Sequence, residues 1–259
     1  MKPSKQKKNY RSEIVDSLLP IQKRICVAIP YTGVVRVEWM KARYGQVIPV
    51  NWSVAELAQY VDTFSPLHYS VEDARNISVD YVVREGFEWL LFIDHDVVIP
   101  PDTFIKINNY MGEGDIPVVS GLYNAKGNPP EPLLFRGRGN SWYRNWKAGD
   151  KVWVDGIPMG CTLISGKLLA AMSEASEEYM AGGLRVRRVF HTPQKVRFDS
   201  QTGAYSAFGG TEDLWWCDRV IKEKWLHKTG FKKVASKKYP FLVDTSINCG
   251  HIDLNGRIY

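Results

Sequence analysis

Phe87-Glu88-Trp89-Leu90-Leu91-Phe92-Ile93-Asp94-His95-Asp96 is the stretch on which the fold of this chain turns. Its apolar run follows Gly86, is too short for a core helix, and stops at two carboxylates one residue apart. That pattern reads as a central strand buried on both faces, the kind found in largely parallel sheets covered by helices. Toward the N-terminus, Arg24 to Pro30 is a short β-rich run closed by proline, a first strand, with Tyr31-Thr32-Gly33 as the loop after it. Between these strands the pattern predicts a helix over 34–44, a short second strand over 46–50, and helices over 54–62 and 71–85, the last capped by Ser70. Toward the C-terminus it predicts a strand over 118–121, a helix over 166–180, irregular or hairpin structure over 182–205, a helix over 212–226 and a strand over 241–247. Strands alternating with helices specify an α/β fold with a mainly parallel central sheet flanked by helices. Ligands in such folds bind beyond the strand C-termini, where Asp94 and Asp96 would sit.

The 259 residues are 44% hydrophobic and 24% charged, an ordinary globular balance. No run of about 18 apolar residues occurs, and no apolar stretch follows the basic N-terminus. Neither a membrane span nor a secretory signal is expected. Cys26, Cys161, Cys217 and Cys249 are widely spaced and form no CxxC pair, which argues against zinc and for reduced thiols in a cytoplasmic setting. The net charge of +6 is local: residues 1–24, a basic tail expected to be mobile, hold seven Lys or Arg against two acids. A second patch, 222–238, holds seven lysines against one glutamate. A uniformly basic nucleic-acid-binding body is thereby excluded. Each patch reads either as solvated surface or as a peripheral contact with an anionic membrane or lipid phosphate.

Several groupings could carry chemistry. Asp94 and Asp96 can face one pocket from a turn, and two buried like charges call for a cation. A hard divalent ion supplies it and can hold a diphosphate as well. Otherwise the pair merely solvates a strand end. Gly209-Gly210-Thr211-Glu212-Asp213 permits a close approach followed by a helix start, with Leu214, Cys217, Ile221 and Trp225 on the inner face. Acids there are also favoured by the helix dipole alone. Cys249-Gly250-His251 offers a late histidine, and Arg75-Asn76 a polar helix face. Between Tyr123 and Trp153 lies a long Gly/Pro/aromatic stretch, the sort of loop that is functional or mobile. Its Trp142, Tyr143 and Trp146 could stack on a sugar or cover core.

Taken in order, the Pro-closed first strand, Arg75-Asn76, Asp94-His95-Asp96, Met159 to Ile164, Thr211-Glu212-Asp213 and Cys249-Gly250-His251 resemble the GT-A glycosyltransferases, especially the small family-2-like group. The resemblance spans roughly 25–255 and implies a single Rossmann-like GT-A domain over 25–259. Its nucleotide-binding half would be 25–115, and its more variable acceptor half 116–259. It implies that Pro30, Tyr31, Thr32 and Gly33 lie near the nucleobase of a UDP- or GDP-sugar. Arg75, Asn76, Gly160 and Cys161 would approach the donor. Asp94 would face ribose or metal-bound water, and Asp96 and His251 would hold Mn²⁺ or Mg²⁺ with the diphosphate. Asp213, beside Glu212, would be the catalytic base of an inverting transfer to a glycan, lipid-linked or protein acceptor. His95 departs from the pattern, since a small residue is common between the aspartates.

Two rival readings remain at this level. Asp94-His95-Asp96-Val97-Val98 also satisfies the signature of haloacid-dehalogenase-type phosphatases, which use the first aspartate as nucleophile with Mg²⁺. That motif normally lies on the first strand, whereas about 90 residues precede it here. A non-catalytic carbohydrate-binding protein on a transferase scaffold would suit the nine Trp and 13 Tyr.

Overall fold

A computed structural model describes residues 25–53, 60–137, 142–201 and 204–259. The basic tail over 1–24 and most of the helix expected over 54–62 lie outside the described residues. Among the described residues, seven strands form the central sheet: β1 (Ile25–Ala28), β2 (Tyr60–Phe64), β3 (Trp89–Ile93), β5 (Val118–Leu122), β6 (Lys151–Val154), β7 (Cys161–Ser165) and β12 (Phe241–Asn248). Their order across it is β2-β1-β3-β7-β5-β12-β6. Three two-stranded ribbons lie outside the sheet: β4 (Val97–Val98) with β13 (Gly250–His251), β8 (Glu178–Ala181) with β9 (Leu184–Arg187), and β10 (Gln194–Asp199) with β11 (Ala204–Gly209). Helices α1 (Val37–Tyr44), α2 (Val50–Ser53) and α4 (Thr103–Glu113) cover one face. Helices α3 (Val71–Glu85), α5 (Gly166–Glu174), α6 (Glu212–Lys222), α7 (Trp225–Lys228) and α8 (Lys232–Ala235) cover the other.

β3 shows why its sequence looks uniformly apolar. Leu90 and Phe92 join the core under α3, α5 and α6, while Trp89, Leu91 and Ile93 join the core under α1 and α4. Both faces are dry, so no polar alternation survives. α3 is bounded as expected: Ser70 Oγ accepts the Asp73 N–H at 3.1 Å, and Gly86 closes the helix in the left-handed region at φ 69°.

Several expectations need correction. The sheet is less parallel than expected: β7 lies between β3 and β5, antiparallel to both. β6 pairs antiparallel with β12. Five of the seven strands still share one direction, but the sheet is mixed. The run 46–50 is not a strand. Val47 donates to the Pro101 carbonyl at 2.9 Å, Gln46 Nε2 donates to the Ala42 and Pro100 carbonyls, and Val50 begins α2. The edge beside β1 is taken instead by β2, which begins within the span read as a helix. The helix over 166–180 ends at Glu174, and Glu178 already begins β8, which turns into β9 through Gly182 and Gly183. Both glycines have positive φ, as a type I′ hairpin turn requires. The helix over 212–226 breaks at Lys224, a left-handed residue at φ 58°. Of the inner face expected from Leu214, Cys217, Ile221 and Trp225, Cys217 and Trp225 are buried, while Trp216 and Val220 take the places of Leu214 and Ile221. All four cysteines are buried and free, and among the described residues no helix is long and apolar enough to cross a membrane.

Candidate active site

The C-terminal end of β3 delivers Asp94 beside Arg75 of α3 and Glu212 at the first turn of α6. Arg75 is 2% exposed and donates from Nε to Glu212 Oε1 at 2.8 Å and from Nη2 to Asp94 Oδ2 at 2.9 Å. Its guanidinium also lies 4.8 Å from the Phe92 ring centre. Burial opposes a charge on Arg75, but the two carboxylates hold it protonated. Burial likewise raises Asp94 above its ordinary range, with Arg75 pulling the other way. Among the described residues, two buried polar atoms in this array have no protein partner, Arg75 Nη1 and Asp94 Oδ1. One is a donor and the other an acceptor, a pairing that a hydroxyl group could satisfy at once.

Asp96 sits in a separate cluster. The short β4 pairs antiparallel with β13, placing His251 opposite Val97. His251 Nε2 lies 3.4 Å from Asp96 Oδ2, and Lys126 Nζ lies 2.5 Å from the same oxygen. His251 Nδ1 is 2.7 Å from the Asn124 carbonyl, which can only accept, so Nδ1 donates there and Nε2 faces Asp96. Burial works against ionisation of Asp96, yet the His251 and Lys126 contacts outweigh it and hold the carboxyl well below the usual range.

Asp213 completes the arrangement. Its Oδ1 accepts the Leu214 N–H at 2.7 Å. Burial first, and then the Glu212 charge, push its carboxyl up to about 6. The helix dipole alone would have lowered it; here desolvation wins. Tyr123, at the end of β5, accepts the Gly160 N–H on its phenol oxygen at 2.8 Å. Burial, followed by the Asp94 and Asp213 charges, keeps that phenol protonated far above its usual range. Gly160 therefore touches the site through its backbone, since its carbonyl also accepts the Asp94 N–H at 2.9 Å. A Cβ there would lie 2.4 Å from the Tyr123 hydroxyl oxygen and 2.8 Å from Val97 Cγ2. Gly160→Ala is expected to destabilise the protein by about 1–3 kcal/mol, read as a lower urea midpoint. Tyr123→Phe in the same background should recover part of the loss. An unchanged midpoint in Gly160→Ala would refute this close approach.

The other expected residues divide. The loop after β1 is tied to the Asp94-His95-Asp96 turn by His95, whose Nδ1 lies 3.2 Å from the Pro30 carbonyl and whose Nε2 lies 3.2 Å from Thr32 Oγ1. The Tyr31 ring packs edge-on to His95, and Gly33 takes φ 100° against His68. A cleft of about 190 Å³ opens here, with Thr32, Arg36, His95, Asp96, Lys126 and Asp253 in its wall. Asn76, by contrast, is 1% exposed and fully engaged. Its Oδ1 accepts the Val189 and Phe190 N–H groups, and its Nδ2 donates to the Phe190 carbonyl and Tyr179. Cys161 is wholly buried at the start of β7, so its thiol faces core. Tyr143 and Trp146 pack on the core, Tyr143 under Arg136, while Trp142 is 44% exposed. A more voluminous cleft of about 520 Å³ lies at the opposite end of β3, lined by Phe87, Trp89, Gly166 and Lys167, away from all of these groups.

No known family model matches the chain, and no curated protein matches it. Solved structures do. A197 from STIV matches with a TM-score of 0.50 and 19% identity, covering 89% of this chain and 86% of its own. A Bacillus anthracis protein described as a glucose-1-phosphate thymidylyltransferase, in complex with sucrose, matches at 0.33 and 11% identity over 60% of this chain and 76% of its own. A glycosyltransferase involved in glycosylation of the major capsid of PBCV-1 matches at 0.29 and 14% identity, over 56% and 63% respectively. At such identities the likeness to A197 speaks for the fold alone, and the two weaker matches carry no argument about this chain.

Among the described residues, no three His, Cys, Asp or Glu side chains converge as a ready metal cage. Of the three ligands expected, Asp96 and His251 meet, whereas Asp94 is turned toward Arg75. The structure also brings in Tyr123, Asn124 and Lys126, which sequence reasoning passed over. They lie at the start of the Gly/Pro-rich stretch, whose composition marked the loop but not which side chains it would present.

Proposed function

We propose that the protein is a glycosyltransferase that moves a sugar from a nucleoside-diphosphate donor, a UDP- or GDP-sugar, to an acceptor hydroxyl. The supporting observation is the pairing of Asp96 with His251, whose Nε2 faces it, near the buried Asp94–Arg75–Glu212 array and Asp213. The Asp96–His251 pair suits a divalent ion. With Nδ1 donating to the Asn124 carbonyl, His251 presents Nε2 as the ligand, the outer-shell pattern typical of metal-bound histidine. Two side chains suffice where substrate phosphates and water complete the shell, and an imidazole favours Mn²⁺ over Mg²⁺. When bound, such an ion would supply Lewis-acid stabilisation of the departing diphosphate.

The chain's own residues do the rest. Arg75 fixes Asp94 and Glu212, leaving Asp94 Oδ1 and Arg75 Nη1 to orient a donor hydroxyl. The loop from Pro30 to Gly33 walls the nucleotide's cleft. Asp213, with its raised proton affinity, takes the acceptor proton as the acceptor oxygen attacks the sugar carbon and the bond from that carbon to the diphosphate oxygen breaks, a single displacement that inverts configuration.

A thermal-shift screen of UDP- and GDP-sugars with and without Mn²⁺ tests the reading. A donor at about 100-fold over its Kd should stabilise by ~2.7 kcal/mol, and only with the metal present. Asp96→Ala should abolish that shift, and His251→Ala should weaken metal-dependent binding about 10-fold or more. Stabilisation by no nucleotide-sugar, or by one that Asp96→Ala still binds normally, sinks the proposal. Metal-dependent donor hydrolysis by the wild type separates an enzyme from a carbohydrate-binding protein.

A further inference from the structure

Two groups converge on a single oxygen. Asp96 Oδ2 is 2.5 Å from Lys126 Nζ and 3.4 Å from His251 Nε2. The proposed transferase gives that carboxylate to a divalent ion. An ion held between His251 Nε2 and Asp96 would sit on this same Oδ2, where an ammonium at 2.5 Å would be in near contact with it, and like charges so close repel strongly. One of them has to yield.

The placement of Lys126 says which. Its backbone belongs to an ordered loop, with Ala125 N–H donating to the Glu131 carbonyl at 2.8 Å and Leu133 N–H donating to the Tyr123 carbonyl at 3.0 Å. Two residues earlier, the Asn124 carbonyl fixes His251. The loop therefore serves the His251 position and has reason to stay, whereas the Lys126 side chain is a flexible four-carbon stem, 31% exposed, that can swing alone. It swings within the wall of the 190 Å³ cleft that also holds Thr32, His95 and Asp96. A displaced ammonium would remain beside whatever phosphates enter.

We infer that Lys126 is an exchangeable counter-ion: it neutralises Asp96 in the empty enzyme, and the metal–diphosphate complex displaces it onto the diphosphate. The inference rests on the proposed transferase reading. Exchange has a consequence that a static salt bridge lacks. The metal alone must compete with Lys126 and binds weakly, while metal and nucleotide together bind cooperatively, each raising the other's affinity by the same factor. Lys126 thus positions the diphosphate and sets the order of loading.

Calorimetric titrations with MnCl₂ alone, and with UDP and GDP at saturating and zero Mn²⁺, test this on the full chain, using wild type, Lys126→Met and Lys126→Arg. Lys126→Met keeps the stem and removes the charge, and an unchanged Tm would show that it folds. Mn²⁺ alone should bind Lys126→Met about 10-fold or more tightly than wild type. The nucleotide should bind it about 10-fold or more weakly in saturating Mn²⁺, erasing most of the cooperativity. Lys126→Arg should stay close to wild type in both. If wild type binds Mn²⁺ and nucleotide but Lys126→Met has unaltered or weaker Mn²⁺ affinity, the exchange is wrong and the transferase reading survives. Nucleotide binding that ignores Mn²⁺ and vanishes in Lys126→Met would mean that Lys126 replaces the metal, which also overturns exchange. If wild type binds no nucleotide, both readings fall together.

Discussion

Asp213→Asn should lower kcat by about 10²–10⁴, the usual loss for a general base, while donor and metal affinity stay near wild type. The substitution preserves shape and removes only the ability to accept a proton. Burial and the neighbouring Glu212 charge raise the Asp213 carboxyl from 3.8 to about 6. The active, ionised form is therefore lost as pH falls through about 6, and kcat/KM should rise up to that pH and then level off. Asp213→Asn should lack this acidic limb. Stability runs the opposite way. The folded state holds this proton more tightly than the unfolded chain, so the group's contribution is present below 3.8 and is lost as pH rises through about 6. Asp213→Asn should consequently be at least as stable as wild type at neutral pH, which distinguishes a lost base from a broken fold. Glu212 occupies a different place, in the ion pair with Arg75. A near-normal kcat in Asp213→Asn together with collapse in a correctly folded Glu212→Gln would move the base to Glu212.

Arg75→Met should carry the largest stability loss of any single change at this site. Arg75, Asp94 and Glu212 have side-chain exposures of 2%, 22% and 9%, so truncation leaves two carboxylates poorly solvated and unpaired. Removing one partner of a buried ion pair typically costs about 3–5 kcal/mol, which for a chain of this size lowers Tm by on the order of 10 °C. Arg75→Lys should fall between, because one ammonium cannot reproduce the Nε and Nη2 fork that reaches both acids. Adding Glu212→Gln to Arg75→Met should restore part of the loss, since it removes one stranded charge, and the double-mutant cycle gives the coupling. A loss below about 1 kcal/mol in Arg75→Met, or strict additivity in the cycle, would show that the array is not held together as described.

Local pattern was enough to place several elements. The continuous apolar run of β3 announced a strand buried on both faces, and β1 and β12 lay close to where their β-rich runs put them. Ser70 and Gly86 marked the ends of α3. The carboxylates at the end of β3 and the acids opening α6 were legible because strand ends and helix starts are local events. Even the Gly182-Gly183 turn was legible in principle, since paired positive-φ residues are the signature of a tight hairpin.

Which of those residues meet was settled by the assembled fold. Asp94 and Asp96 are near-identical in sequence, yet α3 supplies Arg75 to one, while β13 and the 123–135 loop supply His251 and Lys126 to the other. Glu212 and Asp213 are adjacent, and helix geometry turns one carboxylate to a buried guanidinium and leaves the other with a raised proton affinity. The insertion of β7 between β3 and β5 likewise has no local signal, because an antiparallel strand buried on both faces looks the same as a parallel one. The physical reason is common to all three. A hydrogen bond or ion pair acts over about 3 Å, and the residues that come that close are brought together by strand pairing and helix packing between distant parts of the chain.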